Sequence, residues 1–165
     1  RGAGGQAKPA AGALPAVSFS KLQEYLKAQK LSDLVRLRAE KRGLVITLLA
    51  DGLLFPAGSA RISRPCRGVL NRLAAAIKEV PNDVSVEGHT CDLPPRGGEF
   101  LSNWELSTAR ATEVIRYFIE VDRVPAARLS AAGYASSKPL SPNDSERHRA
   151  MNRRVDIVIL GRTSL

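Results

Sequence analysis

Residues 102–111 of the chain read SNWELSTARA and contain its clearest structural signal. Ser102 and Glu105 have the Ser-x-x-Glu spacing of a capping box, in which each side chain accepts a hydrogen bond from the other residue's backbone N–H. Apolar residues then recur at helical spacing as far as Val121: Leu106, Ala111, Val114, Ile115 and Phe118. The stretch therefore predicts a helix from about residue 102 to residue 121 with one buried face.

Segments of strand length lie on both sides of this helix. Alternating or continuous apolar patterns predict short strands at residues 34–38, 44–50, 84–87, 128–132 and 154–160. The run at 44–50 is apolar throughout except for one threonine, which is typical of a strand inside a sheet rather than at its edge.

A second amphipathic helix is predicted between the second and third strands. Ser63 and Pro65 suit its start, and Pro-Asn-Asp at residues 81–83 ends it. Its predicted buried stripe is Val69, Leu73, Ala76, Ile77 and Val80.

Residues 136–150 are polar, contain two prolines and are predicted to form a loop. The order strand, helix, strand, helix, strand, strand predicts an α/β two-layer sandwich with helices packed on a mixed β-sheet.

The beginning of the chain differs in composition from the rest. Residues 1–16 are mainly Ala, Gly and Pro, which predicts a flexible tether. Residues 17–165 are predicted to form one domain with an extra N-terminal helix at about residues 18–29, where Phe19, Leu22 and Leu26 have helical spacing.

Composition excludes several classes of protein. No apolar run reaches the roughly 18–20 residues that a membrane span requires. Two cysteines exclude a disulfide-rich scaffold, and the two histidines, His89 and His148, lack the spacing of a metal site. The formal charge of +9 favours an anionic partner. Nucleic acid is not expected to be that partner, because the arginines are scattered and aromatic residues make up only 5% of the chain.

Four motifs in order resemble those of OmpA-like peptidoglycan-binding domains. They are LFPAGSA at residues 54–60, EGHT at 87–90, LSTARA at 106–111 and NRRV at 152–155. SNWELS at the capping box and LQEYL in the N-terminal helix are most similar to the periplasmic C-terminal domain of MotB-type flagellar stator proteins. The resemblance covers about residues 19–160.

The resemblance implies a site for the diaminopimelate of a wall peptide, a group that carries carboxylates and an ammonium. Arg110 is the expected carboxylate donor, because a guanidinium pairs with a carboxylate through two hydrogen bonds. The Thr90 hydroxyl is expected to hydrogen-bond the ligand, and Phe55 either packs on its aliphatic stem or belongs to the core. Asn103 and Leu106 complete the motif residues expected in the site.

Two further residues are placed by the same resemblance. Arg154 is expected to make an accessory contact, with a solvated ion pair as the alternative. Trp104 is expected to pack at the start of its helix rather than to form a ligand platform.

One position departs from the family pattern. The family has Asp after Gly-His-Thr, where it receives the ammonium, whereas this chain has Cys91 followed by Asp92. Either Asp92 takes over this role with a local shift, or the ammonium contact is weaker.

Cys91 also suggests a disulfide with Cys66. In a strand–helix–strand unit the start of the helix and the end of the next strand lie at the same edge of the sheet, so the two thiols could meet. A bridge formed in an oxidising periplasm would close a loop of 26 residues and add about 3 kcal/mol of stability. The alternative is two unrelated thiols.

The resemblance implies a non-enzymatic anchor without metal or cofactor. His89 has no nucleophile motif beside it and is expected to be a structural residue held by hydrogen bonds.

The implied partners are peptidoglycan, a second copy in a homodimer, and a MotA-like membrane stator subunit reached through an inner-membrane span before residue 1. The domain itself would be periplasmic. The alternatives are a general wall linker of an outer-membrane protein, lipoprotein or secretion-system anchor, a wall hydrolase, and a nucleic-acid binder.

Overall fold

The computed structural model describes residues 16–28, 30 and 34–161. These residues form four α-helices, five β-strands and one 3₁₀ turn. In chain order the elements are α1 Ala16–Ala28, β1 Val35–Glu40, β2 Gly43–Leu49, α2 Arg64–Lys78, β3 Val84–His89, α3 Asn103–Glu120, the 3₁₀ turn Ala126–Arg128, β4 Leu129–Gly133, α4 Glu146–Asn152 and β5 Arg154–Leu160.

The five strands form one mixed sheet in the order β1-β2-β5-β3-β4. The last strand in sequence, β5, lies in the centre and pairs antiparallel with β2 and β3, while β3 and β4 are parallel. Alternate residues of the central strands share one hydrophobic core with the buried faces of α2 and α3. The predicted α/β sandwich with a mixed sheet and an extra N-terminal helix is confirmed.

The opposite face of the sheet carries polar residues. Thr47, Asp156 and Glu87 lie directly opposite one another on β2, β5 and β3, so their side chains share a face. All three are buried. Apolar residues next to them in sequence, such as Ile46 and Ile157, point to the core.

The predicted capping box is formed at α3. The Ser102 hydroxyl accepts a hydrogen bond from the Glu105 amide, and Glu105 Oε2 accepts from the amides of Ser102 and Leu101. Two glycines let α3 lie directly on the sheet. A Cβ on Gly88 would be 1.9 Å from the Ser107 carbonyl oxygen, and one on Gly133 would be 2.1 Å from the Thr108 hydroxyl.

Some details differ from the sequence prediction. The predicted loop at 136–150 contains the start of α4, whose first turn is capped by Ser145 accepting from the His148 amide at 3.2 Å. A seven-residue helix is too short to show a clear apolar period, so periodicity could not reveal it. In α2 the buried face includes Leu70 and Ala74, while Ala76 is only partly buried. Val80, predicted in the same stripe, is also partly buried and lies beyond the end of the helix.

The N-terminal helix spans residues 16–28, two residues earlier at its start than predicted. The tether predicted at 1–16 lies outside the described residues except for its last position. No helix in the described ranges is both long and apolar enough to cross a membrane.

Candidate functional site

A pocket of about 300 Å³ lies where two loops, the start of α3 and α4 meet. Its walls come from residues 51–58 after β2, 90–96 after β3, 103–110 of α3, and the pair Glu146 and Arg153 at the two ends of α4. The two loops touch at Gly58, where a Cβ would be 2.1 Å from the Arg96 carbonyl oxygen. Gly58 also has φ +69°, a conformation that suits glycine.

Arg110 is the most buried cation of this pocket, with 1% of its surface exposed. Its Nε donates to the Ser59 carbonyl at 2.9 Å and its Nη2 donates to Asp51 Oδ1 at 2.8 Å. Nη1 has no acceptor among the described residues. Burial lowers the pKa of Arg110 and the Asp51 charge opposes the shift, but a guanidinium remains charged in proteins.

Asp51 joins Arg110 to a second arginine of the pocket. Its other oxygen, Oδ2, lies 2.8 Å from Arg153 Nε. Arg153 Nη2 contacts Glu146 Oε1, and Nη1 donates to Cys91 Sγ at 3.5 Å. Asp51 therefore holds two guanidinium groups side by side at one wall of the pocket.

Four of the residues expected in the site line this pocket: Thr90, Asn103, Leu106 and Arg110. The Thr90 hydroxyl donates to the Cys91 carbonyl at 3.0 Å. Asn103 Nδ2 donates to the carbonyls of Leu93 at 2.8 Å and Cys91 at 3.3 Å, which ties the loop after β3 to the start of α3.

Three expected site residues are not among those that line the pocket. Phe55 is buried in the core, and the Arg110 guanidinium lies 4.9 Å above the centre of its ring. Asp92 forms an ion pair with Arg149 at 2.8 Å, and this hydrogen bond lowers the pKa of Asp92. Arg154 is buried on the polar face of the sheet, where its Nε donates to Asp156 Oδ2 at 3.0 Å.

Sequence reasoning missed four charged residues of the pocket: Asp51, Arg96, Glu146 and Arg153. Arg153 immediately precedes Arg154 in the NRRV motif, and the motif alone does not say which arginine points to the pocket. Asp51 lies two residues after the end of β2, in a loop position common for functional carboxylates, but its partner Arg153 is about a hundred residues away in sequence.

The predicted Cys66–Cys91 disulfide is wrong, because the structure contains both cysteines as free, buried thiols. Cys66 packs in the hydrophobic core, and burial raises the pKa of its thiol to about 11. Cys91 lies in the pocket wall beside Arg153. The two sulfurs thus have different neighbours, one apolar and one charged.

His89 is buried, but it is not hydrogen-bonded as expected. Neither ring nitrogen has a hydrogen-bond partner in the described part of the chain, and the ring stacks on Tyr134 with centroids 5.3 Å apart. Its Nε2 lies 3.9 Å from Glu87 Oε2 and 3.6 Å from Asp156 Oδ2. Burial, with Arg154 nearby, lowers the pKa of His89 to about 4.

Glu87, His89 and Asp156 have the residue types of a metal site, with ligand atoms within 4.8 Å of one another. Their charges do not fit one. Arg42 donates to Glu87 at 2.6 Å, and Arg154 and Arg38 both donate to Asp156. Because both carboxylates of the cluster are already paired with arginine, it disfavours a further cation, and we interpret it as part of an ion-pair network.

Comparison with known proteins supports the same fold and identifies its family. The OmpA family matches residues 54–153. Motility protein B of Bacillus subtilis (strain 168) is 32% identical over 146 residues, which cover 87% of this chain and 55% of that protein. The chain thus spans little more than half the length of this relative.

Two solved structures have the same architecture. A putative MotB-like protein from Desulfovibrio vulgaris has a TM-score of 0.82 and 28% identity, covering 90% of this chain and 91% of that one. The cell wall anchor of the type VI secretion system from Pseudomonas aeruginosa has a TM-score of 0.77 and 31% identity, covering 85% and 96%. The chain belongs to the OmpA family.

Proposed function

We propose that this domain binds peptidoglycan without cleaving it and anchors a flagellar stator complex to the cell wall. The observation that supports this best is Arg110, a buried cation in the pocket wall whose Nη1 has no acceptor among the described residues. A ligand carboxylate entering the pocket would supply that acceptor.

The charge of the pocket suits the diaminopimelate that ends a stem tripeptide. Three arginines, Arg96, Arg110 and Arg153, face two carboxylates, Asp51 and Glu146, so the walls carry one excess positive charge. A group with two carboxylates and one ammonium has the opposite net charge. Its carboxylates can pair with the arginines, and its ammonium can pair with a pocket carboxylate. Arginine forks are the protein groups best suited to carboxylates.

Individual residues have defined roles in this proposal. Arg110 pairs with the ligand carboxylate, while Asn103 and Thr90 hold the loop that forms the opposite wall. Phe55 supports the Arg110 guanidinium from below rather than touching the ligand's aliphatic stem. Leu106 provides apolar surface at the pocket floor.

The residue types in the pocket support binding without catalysis. No histidine lines it in the described part of the chain, and both of its carboxylates are paired with arginine. General acid–base catalysis needs a group that can give or take a proton near neutral pH. The pocket instead holds charges that are fixed by ion pairs.

The stator assignment is supported by the relatives named as motility proteins. In this role the domain lies in the periplasm, and residues 1–16 tether it to a membrane span. Its partners are a MotA-like subunit and a second copy of the chain.

The alternative is a general wall linker of an outer-membrane protein, lipoprotein or secretion anchor, which the type VI anchor structure supports. The sequence that precedes residue 1 separates them: a single span with an ion-carrying acid indicates a stator, and a lipobox or barrel strands indicate a linker.

Wall binding is tested by sedimenting the domain with purified diaminopimelate-type peptidoglycan. We expect Arg110→Ala to weaken binding at least about tenfold, because a charge-assisted bidentate contact is lost. Arg110→Lys keeps the positive charge but cannot form the two parallel hydrogen bonds of a guanidinium. It should therefore recover binding only in part. Arg116→Ala is the matched control, since Arg116 is on the same helix but its side chain is 62% exposed and forms ion pairs with Glu113 and Glu120 on the helix surface.

Folding of each variant is checked by circular dichroism and thermal melting, because Arg110→Ala leaves Asp51 with one partner fewer. Failure of the wild-type domain to sediment with the wall would overturn the proposal. So would an Arg110→Ala variant that is folded and binds as well as the wild type.

A further inference from the structure

The wall of the pocket contains a thiol to which the proposed wall-binding role assigns no task. Cys91 lines the pocket, and its Sγ accepts a hydrogen bond from Arg153 Nη1 at 3.5 Å. Arg149 is a second cation beside it, close enough for its charge to interact with that of the sulfur. Disulfide exchange requires the thiolate, and neighbouring guanidinium groups favour that form of a thiol. Cys91 thus has the electropositive surroundings that are typical of reactive cysteines.

The rim of the pocket is open to solvent. Leu93 lines the pocket two residues after Cys91 and is 40% exposed. Trp104, which follows the pocket residue Asn103, is 56% exposed and does not pack into the domain as its sequence position led us to expect. Cys91 itself is 5% exposed, so a reagent that reaches its sulfur must enter the pocket. A volume of about 300 Å³ is sufficient for a small molecule.

The same pocket offers a free donor to a carboxylate. Arg110 is 1% exposed, and its Nη1 has no acceptor among the described residues. Asp51 holds this guanidinium beside that of Arg153, whose Nη1 contacts the Cys91 sulfur. Arginine is the side chain best suited to carboxylates. A carboxylate bound at this wall therefore brings the rest of its molecule next to the thiol.

We propose that Cys91 is a modification site, where its thiolate exchanges with a small disulfide that carries carboxylates, and that the attached group closes the pocket to the wall peptide. In the exchange the Cys91 thiol loses its proton to solvent, and its sulfur bonds to one sulfur of the disulfide. The S–S bond of the reagent breaks, and its other half leaves as a thiolate that takes up a proton from water. Cys91 is oxidised and the departing half is reduced. Only the closing of the pocket rests on the proposed function.

Cys66 is a control within the same chain. It is 0% exposed in the hydrophobic core, and burial raises the pKa of its thiol to about 11. It therefore lacks both access to a reagent and a thiolate near neutral pH. Unfolding removes these differences, so both cysteines should react in the unfolded chain and only Cys91 in the folded domain.

Cystine and cystamine test the role of the arginines, because cystamine is cystine without its carboxylates. We would treat the folded domain with each disulfide at neutral pH and locate the added group by peptide mass spectrometry without reduction. Rates measured on the chain unfolded in urea correct for the intrinsic reactivity of each reagent. We expect modification at Cys91 alone, with a corrected rate about tenfold higher for cystine. Equal corrected rates, an unreactive Cys91 or equal modification of Cys66 would overturn the proposal.

Sedimentation with purified peptidoglycan tests whether the modification closes the pocket. The cystine-treated wild type should no longer sediment with the wall, and reduction with dithiothreitol should restore its binding. Cys91→Ser is the matched control, because a hydroxyl is close in size to a thiol but cannot exchange with a disulfide. It should bind the wall to the same extent before and after treatment with cystine.

The outcomes separate this inference from the proposed function. A fully modified domain that still sediments with the wall would overturn the closing of the pocket and leave wall binding intact. Equal loss of binding by treated Cys91→Ser would also overturn it, because cystine would then act elsewhere. A wild type that never sediments with the wall would overturn the proposed function and the closing together, whereas the mass spectra would still decide whether Cys91 is a modification site.

Discussion

At the scale of single residues, the open question is which carboxylate receives the ligand's ammonium. Glu146 lines the pocket, and only its Oε1 contacts Arg153. The hydrogen bond from Arg153 lowers the pKa of Glu146, so it is ionised at neutral pH. We predict that Glu146→Gln weakens binding of the stem tripeptide about threefold, whereas Asp92→Asn leaves it unchanged because Asp92 is paired with Arg149.

Isothermal titration of the two variants measures this difference directly. Glu120→Gln is the matched control, since the Glu120 side chain has the same 64% exposure as Glu146 but lies far along α3 in an ion pair with Arg116. A loss confined to Asp92→Asn would mean that Asp92 leaves Arg149 to contact the ligand, as the family motif suggested.

At the scale of elements, the contact between α3 and the sheet sets the position of Arg110. A methyl group at residue 88 would collide with the backbone carbonyl of Ser107, which cannot move without the helix. We predict that Gly88→Ala destabilises the domain by about 2–3 kcal/mol, the usual cost of overpacking, and also weakens wall binding. Urea denaturation and sedimentation with the wall measure the two effects.

Gly68→Ala is the control for this substitution. Gly68 lies in α2, where an added Cβ would meet nothing within 4 Å, and alanine is the better helix former. It should therefore raise stability by up to about 1 kcal/mol. Unchanged stability of Gly88→Ala would show that α3 can lift from the sheet at little cost.

The elements also show what sequence can and cannot predict. The start of α3 was predictable because a capping box involves residues three apart. The central position of β5 in the sheet could not be predicted, because it depends on which strands pair. Pairing is decided by segments that are far apart in the sequence. The same holds for the pocket: Arg110 belongs to a local motif, whereas the Asp51–Arg153 contact exists only after β2 and β5 have paired.

At the scale of the whole molecule, the two faces of the sheet respond differently to pH. The core face is apolar, whereas the other face buries His89 among Glu87, Asp156 and Arg154. The pKa of His89 is lowered to about 4, chiefly by burial, against about 6.5 in an unfolded chain. Between these values the unfolded chain binds the proton more readily, so acid favours unfolding.

The predicted consequence is a stability that is full above about pH 6.5 and declines as the pH falls towards 4. His89 alone should account for about 2–3 kcal/mol of the loss at pH 4.5. Urea denaturation from pH 7 to 4.5 should show this slope in the wild type and in His148→Gln, which changes the other histidine, whose side chain is 39% exposed. His89→Gln cannot take up the proton and should flatten the slope. An equal slope in His89→Gln would assign the acid sensitivity to the carboxylates of the surface ion pairs instead.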